Sequence, residues 1–92
     1  MLTVGLIGAG RIGRVHASTI SMHANSKLVA VADVIEDNAQ KLARDFGIQV
    51  CSTDAIYKDK SIDAVLIASS TDTHSEIIEK ATLAGKAVLC EK

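Results

Sequence analysis

The sequence predicts an α/β fold: an open, doubly wound parallel sheet with its strands in the order 3-2-1-4-5. Three observations carry this. Short apolar runs alternate with helical patterns along the whole chain. The second run is nearly continuous in its apolar character, as strands covered on both faces are. A glycine-rich turn, Gly8-Ala9-Gly10-Arg11-Ile12-Gly13, separates the first run from the first helical pattern. Right-handed crossovers between successive strands then give the order stated.

The first strand reads Leu2 to Ile7, and a helix follows from about Arg11. Ile12, Val15, Thr19 and Ile20 recur at helical spacing and are expected to form its inner stripe. The second strand is Lys27 to Ala32. The second helix runs from about Glu36 to Phe46, with Ala39, Leu42, Ala43 and Phe46 inward and Gly47 as its stop. A short third strand, Gln49 to Cys51, leads to a brief helix over Asp54 to Lys58. The fourth strand is Ala64 to Ala68. The last helix begins near Thr73, where Thr73 and Glu76 make a capping-box pattern and Glu76 and Lys80 an i,i+4 pair. Gly85 ends it, and Lys86 to Leu89 is the fifth strand. No internal repeat, linker or low-complexity stretch interrupts this series.

The 92 residues suffice for one small domain. A chain near this length buries only somewhat over ~60% of its unfolded surface, so its core is thin. With one Phe, one Tyr and no Trp, that core must come from Val, Ile, Leu and Ala. The net charge of −1 is spread along the chain, without the clustered Lys and Arg that grip nucleic acid or an anionic membrane surface. No apolar run approaches a membrane span, and no signal-like leader precedes the first strand. A cytoplasmic protein with no nucleic-acid or membrane partner is expected. Cys51 and Cys90 have no metal-like spacing and read as buried thiols; no metal is expected.

In a sheet of this order, ligands bind outside the carboxyl ends of the strands where the order reverses, between strands 1 and 4. The glycine turn lies there. Gly8 permits the tight turn, Gly10 lets backbone approach a pyrophosphate, and Gly13 lets the helix pack close. Free N–H groups at Arg11 and Ile12 and the positive end of the helix then face the phosphates. Asp33 ends the second strand, where a carboxylate accepts hydrogen bonds from the adenosine ribose hydroxyls. A 2′-phosphate at ~4 Å from that carboxylate would be repelled by about 4 kcal/mol per pair of unit charges at an effective dielectric near 20. NAD is therefore the expected cofactor of this Rossmann-type site. Arg11 and Arg14 could reach nearby anions and leave some use of NADP open. Replacing Asp33 by Ala should weaken NAD use more than NADP use.

Two further groups lie at the same sheet edge. After the fourth strand come Ser69-Ser70-Thr71-Asp72-Thr73-His74, small hydroxyl residues that suit either helix capping or contact with the cofactor. His74 shares a helical face with Ile77, Ile78 and Ala81, and reads either as a structural histidine or as a cofactor contact. His16 reads as structural on the first helix, and His23 as exposed beyond its end. Glu91 and Lys92 follow the fifth strand. From the residues alone, they are either a solvated charge pair or a substrate-facing pair.

Taken together, Gly5 to Gly13, Ala32-Asp33, Ser70 to His74 and Gly85 to Lys92 resemble the Gfo/Idh/MocA oxidoreductase family along the whole chain. The resemblance implies a Rossmann domain followed by a larger α/β domain, in a homo-oligomeric enzyme that transfers hydride between a sugar or cyclitol CH–OH carbon and NAD(P). It maps Lys92 onto the family's lysine at the reacting hydroxyl, and Glu91 onto the glutamate near the cofactor. Lys92 thus becomes the catalytic candidate. The cofactor-binding candidates are Gly8, Gly10, Arg11, Ile12, Gly13, Asp33, Ser69, Ser70, Thr71, His74, Glu91 and Lys92. The family's catalytic Asp and His have no counterpart here, and the C-terminal domain is missing. Residues 1–92 are thus expected to be the incomplete NAD-binding part of a two-domain enzyme, inactive alone. A non-catalytic NAD-binding or sensing module is the alternative.

Overall fold

The computed structural model describes residues 2–68 and 74–90, apart from the side chains of His74 and Cys90. The elements run β1 (Leu2–Ile7), α1 (Arg11–Met22), β2 (Ser26–Ala32), α2 (Glu36–Phe46), β3 (Gln49–Val50), α3 (Thr53–Lys58), β4 (Ala64–Ile67), α4 (His74–Leu83) and β5 (Ala87–Cys90). Every strand pairs in parallel, in the order β3-β2-β1-β4-β5. The predicted fold class and strand order are those observed.

The sheet divides the apolar residues into two layers. Val4, Leu6, Leu28, Val31 and Leu66 face α1 and α2, which contribute Ala17, Ala39, Leu42 and Ala43. Ile7, Val65 and Ile67 face α3 and α4, which contribute Ile56, Ile77 and Ala81. Right-handed crossovers require this division, since the chain winds outward through β2 and β3 and then returns to β4. One irregularity lies in the β1–β2 register, where Val4 pairs with Leu28 but Gly5 with Ala30.

Most boundaries fall within a residue of expectation, as fraying ends allow. The second helix matches residue for residue, and Gly47 ends it in the left-handed conformation at φ 68°, its N–H donating to the Ala43 carbonyl. Cys51 drops out of β3, although its N–H still donates to Val31 O at 2.9 Å. Ser52, not an element of the expected pattern, caps α3 by accepting from Ala55 N at 3.1 Å.

The inner stripe of α1 differs from expectation. Gly13 and Ala17 are buried and Ile20 is half-buried, whereas Ile12 is 47% and Val15 57% exposed. The cause is close packing. Gly13 sits against the Gly8 carbonyl, so the smallest residues face the sheet and the larger aliphatics are turned aside. His16 is half-buried and His23, which caps the helix end, is exposed.

Lys86, the expected first residue of the fifth strand, immediately precedes β5 and is only 8% exposed. Its Nζ donates to Asp59 O at 2.6 Å and Ile62 O at 2.8 Å. The ammonium thus satisfies carbonyls at the exit of α3 and ties β5 to the α3–β4 connection. Lys86→Met keeps much of the aliphatic stem and leaves both carbonyls without this donor. It is expected to lower stability by about 1–3 kcal/mol, read as a fall in the urea midpoint at unchanged m-value. An unchanged midpoint would show that water replaces the lysine without cost.

Candidate functional site

The site is built on the turn between β1 and α1. Gly8 follows the last residue of β1 at φ 105°, a backbone region that side-chain-bearing residues rarely adopt. Its N–H donates to Ala32 O at 2.8 Å, fixing the turn to the end of β2. A Cβ on Gly13 would lie 2.0 Å from Gly8 O, so only glycine permits this approach of helix to turn. A Cβ on Gly10 would meet nothing within 4 Å.

The first hydrogen bond of α1 runs from Arg14 N to Gly10 O at 2.9 Å. The N–H groups of Arg11, Ile12 and Gly13 therefore precede any intrahelical partner. Gly10, the N-cap, supplies no side-chain cap, and the first turn holds no acidic residue. The contrast with α2 is instructive: its first turn carries Glu36 and Asp37, which complement its own dipole. No side chain of α1's own cap or first turn compensates its positive end, the condition for holding an anion.

Asp33 lies beside this turn. Its Oδ2 accepts from Ala9 N at 2.6 Å and its Oδ1 from Ile35 N at 2.8 Å. The carboxylate belongs to a cavity of about 480 Å³ at the carboxyl ends of β1 and β4, which extends past Gly8, Gly10 and Ala68. The volume is in the range of small-molecule and cofactor clefts. Its far wall comes from α3 and α4, through Thr53, Tyr57, Ile77 and Lys80. On the near side Val34 is 99% and Ile35 57% exposed. Two consecutive aliphatics in solvent at the mouth of a cavity form an apolar platform.

The charges of the cavity are partly internally matched. Lys80 Nζ lies 2.9 Å from Glu76 Oε1, and this hydrogen bond and charge raise the lysine's pKa above its ordinary value. Burial pushes the Tyr57 hydroxyl above its ordinary value, with Lys80 opposing and Asp54 and Glu76 adding to the rise. Tyr57 is therefore a neutral phenol at physiological pH. Arg14 does not serve the crevice as the sequence allowed. Its Nη1 pairs with Asp45 Oδ2 at 2.7 Å, and its guanidinium stands 6.0 Å from the Phe46 ring centroid. Asp33 thus keeps no arginine partner from that position to offset a 2′-phosphate.

The model of the oxidoreductase family with an NAD-binding Rossmann fold, GFO_IDH_MocA, matches residues 2–92. The chain belongs to this family. Among curated members, an inositol 2-dehydrogenase of Rhizobium meliloti is 50% identical over 88 residues, covering 96% of this chain and 27% of that protein. A solved myo-inositol dehydrogenase from Lactobacillus casei, in complex with NAD(H) and myo-inositol, superposes with a TM-score of 0.95 at 30% identity. It covers 100% of this chain and 28% of its own. A biliverdin reductase from Synechocystis, in complex with biliverdin and NADP+, superposes at 0.94 with 35% identity, covering 99% of this chain and 29% of its own. The chain thus spans little more than a quarter of the relatives it matches.

Of the family candidates named from sequence, Gly8, Gly10 and Asp33 line one cavity. Gly13 lies buried behind it, acting through the packing of α1 on Gly8. Arg11 and Ile12 are exposed at the start of α1, outside the cavity wall. Ser69, Ser70, Thr71, Glu91 and Lys92 lie outside the described residues, as do Asp72, Thr73 and the side chain of His74. Sequence reasoning missed Tyr57, Lys80 and the Val34–Ile35 platform. The platform had a signal, two large aliphatics in the turn just after Asp33. Tyr57 and Lys80 had none, because only the return of the chain across the sheet brings α3 and α4 over this edge.

Proposed function

We propose that this chain is the cofactor-binding part, residues 1–92, of a longer two-domain NAD-dependent dehydrogenase that oxidises a CH–OH carbon of a cyclitol or sugar, in the manner of an inositol 2-dehydrogenase. The observation that carries the reading is that Gly10, the N-cap of an α1 without a side-chain cap, lines one cavity with the Asp33 carboxylate. Diphosphate and ribose diol are the two chemical features an adenosine dinucleotide presents together. The turn's Gly10, with open space beyond its Cα, fits such a group. The inositol dehydrogenases among the relatives support the substrate class.

The residues divide the work as follows. The N–H groups of Arg11 and Ile12 and the dipole of α1 hold the diphosphate. Asp33 accepts from the ribose and disfavours a 2′-phosphate. Val34 and Ile35 give the adenine an apolar surface, with neutral Tyr57 on the opposite wall. Ser69, Ser70, Thr71, His74 and Glu91 complete the cofactor's surroundings, and Lys92 orients the substrate hydroxyl oxygen. The base that takes the hydroxyl proton comes from the polypeptide beyond this segment. Bound NAD supplies the hydride acceptor. Among the described residues no helix is long and apolar enough to cross a membrane. We take the enzyme to be a cytoplasmic homo-oligomer without nucleic-acid or membrane partners.

The test is turnover by the intact protein on a panel of inositols and aldoses with NAD or NADP. NADH formation with an inositol, and slower NADPH formation, is the expected result. NAD binding without turnover on any member would overturn the dehydrogenase reading in favour of a sensing module. The 92-residue chain alone is expected to give no turnover.

A further inference from the structure

We infer that Asp33 is a positioning residue for the phosphate-binding turn as well as the acceptor for the ribose. The inference rests on the NAD-site reading given above and goes beyond it. Asp33 and Ala9 are 24 positions apart, yet Oδ2 accepts from Ala9 N at 2.6 Å, a short charge-assisted bond. The second oxygen accepts from Ile35 N at 2.8 Å, which fixes the carboxylate's own plane. One peptide earlier, Gly8 N donates to Ala32 O at 2.8 Å. Ala32 and Asp33 together therefore hold both N–H groups of the Gly8-Ala9 step.

Two consequences follow. The Ala9 N–H is engaged by the carboxylate, so the diphosphate must take its donors from further along, at the start of α1. The turn's position also depends on the carboxylate, because Gly8 sits at φ 105° and glycine brings no side-chain restraint of its own. Each carboxylate oxygen has about two acceptor sites, so Asp33 can hold the turn and still accept from ribose hydroxyls. One side chain thereby couples the two halves of the ligand. Removing it should weaken the grip on phosphate even when the ligand has no ribose hydroxyls to recognise.

The experiment measures binding of ADP and of 2′,3′-dideoxy-ADP to the intact protein and its Asp33→Ala and Asp33→Asn variants. Wild type is expected to bind ADP more tightly than the dideoxy ligand. Asp33→Ala is expected to weaken the dideoxy ligand by about tenfold, the scale of one charge-assisted hydrogen bond. Asp33→Asn, whose amide oxygen can still accept from Ala9 N, should recover part of that loss. Binding of 2′,3′-dideoxyadenosine, which carries no phosphate, should change little between wild type and Asp33→Ala. A general disturbance of the fold would instead weaken both dideoxy ligands alike, and that outcome overturns the inference. If Asp33→Ala weakens ADP but leaves dideoxy-ADP untouched, Asp33 recognises ribose only: the inference fails while the NAD-site reading stands. Failure of wild type to bind ADP at all would defeat that reading itself. Should Asp33→Ala not fold, the same comparison on Asp33→Leu, which is of similar shape but offers Ala9 N no acceptor, decides, with unchanged dideoxy-ADP affinity at reduced ADP affinity counting against the clamp.

Discussion

Gly13→Ala is expected to destabilise the domain and abolish most of its NAD affinity. The added Cβ would lie 2.0 Å from Gly8 O and 2.9 Å from Gly8 C. Both are backbone atoms, so no side chain can swing away to make room. Either α1 retreats from the sheet or the turn moves. Overpacking of this kind costs typically about 1–3 kcal/mol and sometimes more, and the rigidity of the partner argues for the upper end. If the turn moves, the bond from Ala9 N to Asp33 is broken or stretched; if α1 retreats, its N–H groups draw away from the diphosphate. Gly10→Ala is the internal control. Its Cβ meets nothing within 4 Å, and its backbone, at φ −77° and ψ −160°, is one that alanine adopts. Stability should stay within about 0.5 kcal/mol, while NAD affinity falls because the methyl group enters the cavity. Urea unfolding and NAD titration of both variants check this. Equal stability of the two would refute the packing of α1 against the turn.

The largest effect on turnover is expected at Lys92. If its ammonium orients and polarises the substrate oxygen, Lys92→Met removes an interaction strongest in the transition state. Loss of one such donor lowers kcat by about 10²–10³-fold. Because the interaction develops in the transition state, kcat and kcat/KM should fall together. Titration of the variant with NAD should show affinity near that of the wild type. A rise in KM at unchanged kcat would instead make Lys92 a ground-state binding residue. A variant with wild-type kinetics would return Lys92 to a solvent-exposed charge and remove the resemblance's main mechanistic implication.

The glycine turn and Asp33 were legible in the sequence because their chemistry is local. A strand, a turn without side chains, a helix start and an acid at the end of the next strand are each read within a few residues. The second helix was legible to both ends, since Ala39, Leu42, Ala43 and Phe46 mark one face and Gly47 supplies the stop. The first helix was not, because periodicity weighs large aliphatics and this helix buries its small residues. Ile12 and Val15 drew the inner stripe to the wrong side, while the Gly13–Ala17 seam determined the packing. Lys86 was illegible for another reason: the carbonyls it serves, at Asp59 and Ile62, become neighbours of β5 only through the tertiary fold. The far wall of the cavity has the same origin. Tyr57 and Lys80 share a cavity with Asp33 only because α3 and α4 cover the carboxyl edge that the strand order creates.

That edge is also where the account is most directly tested. A crystal structure of the intact protein with NAD should show the diphosphate against the N–H groups at the start of α1, with Asp33 accepting from the adenosine ribose and Ala9 N still donating to the same carboxylate. The adenine should lie between the Val34–Ile35 platform and the Tyr57 wall. A dinucleotide seated away from the Gly8–Gly13 turn, or a ribose turned from Asp33, would contradict the assignment of this cavity as the NAD site.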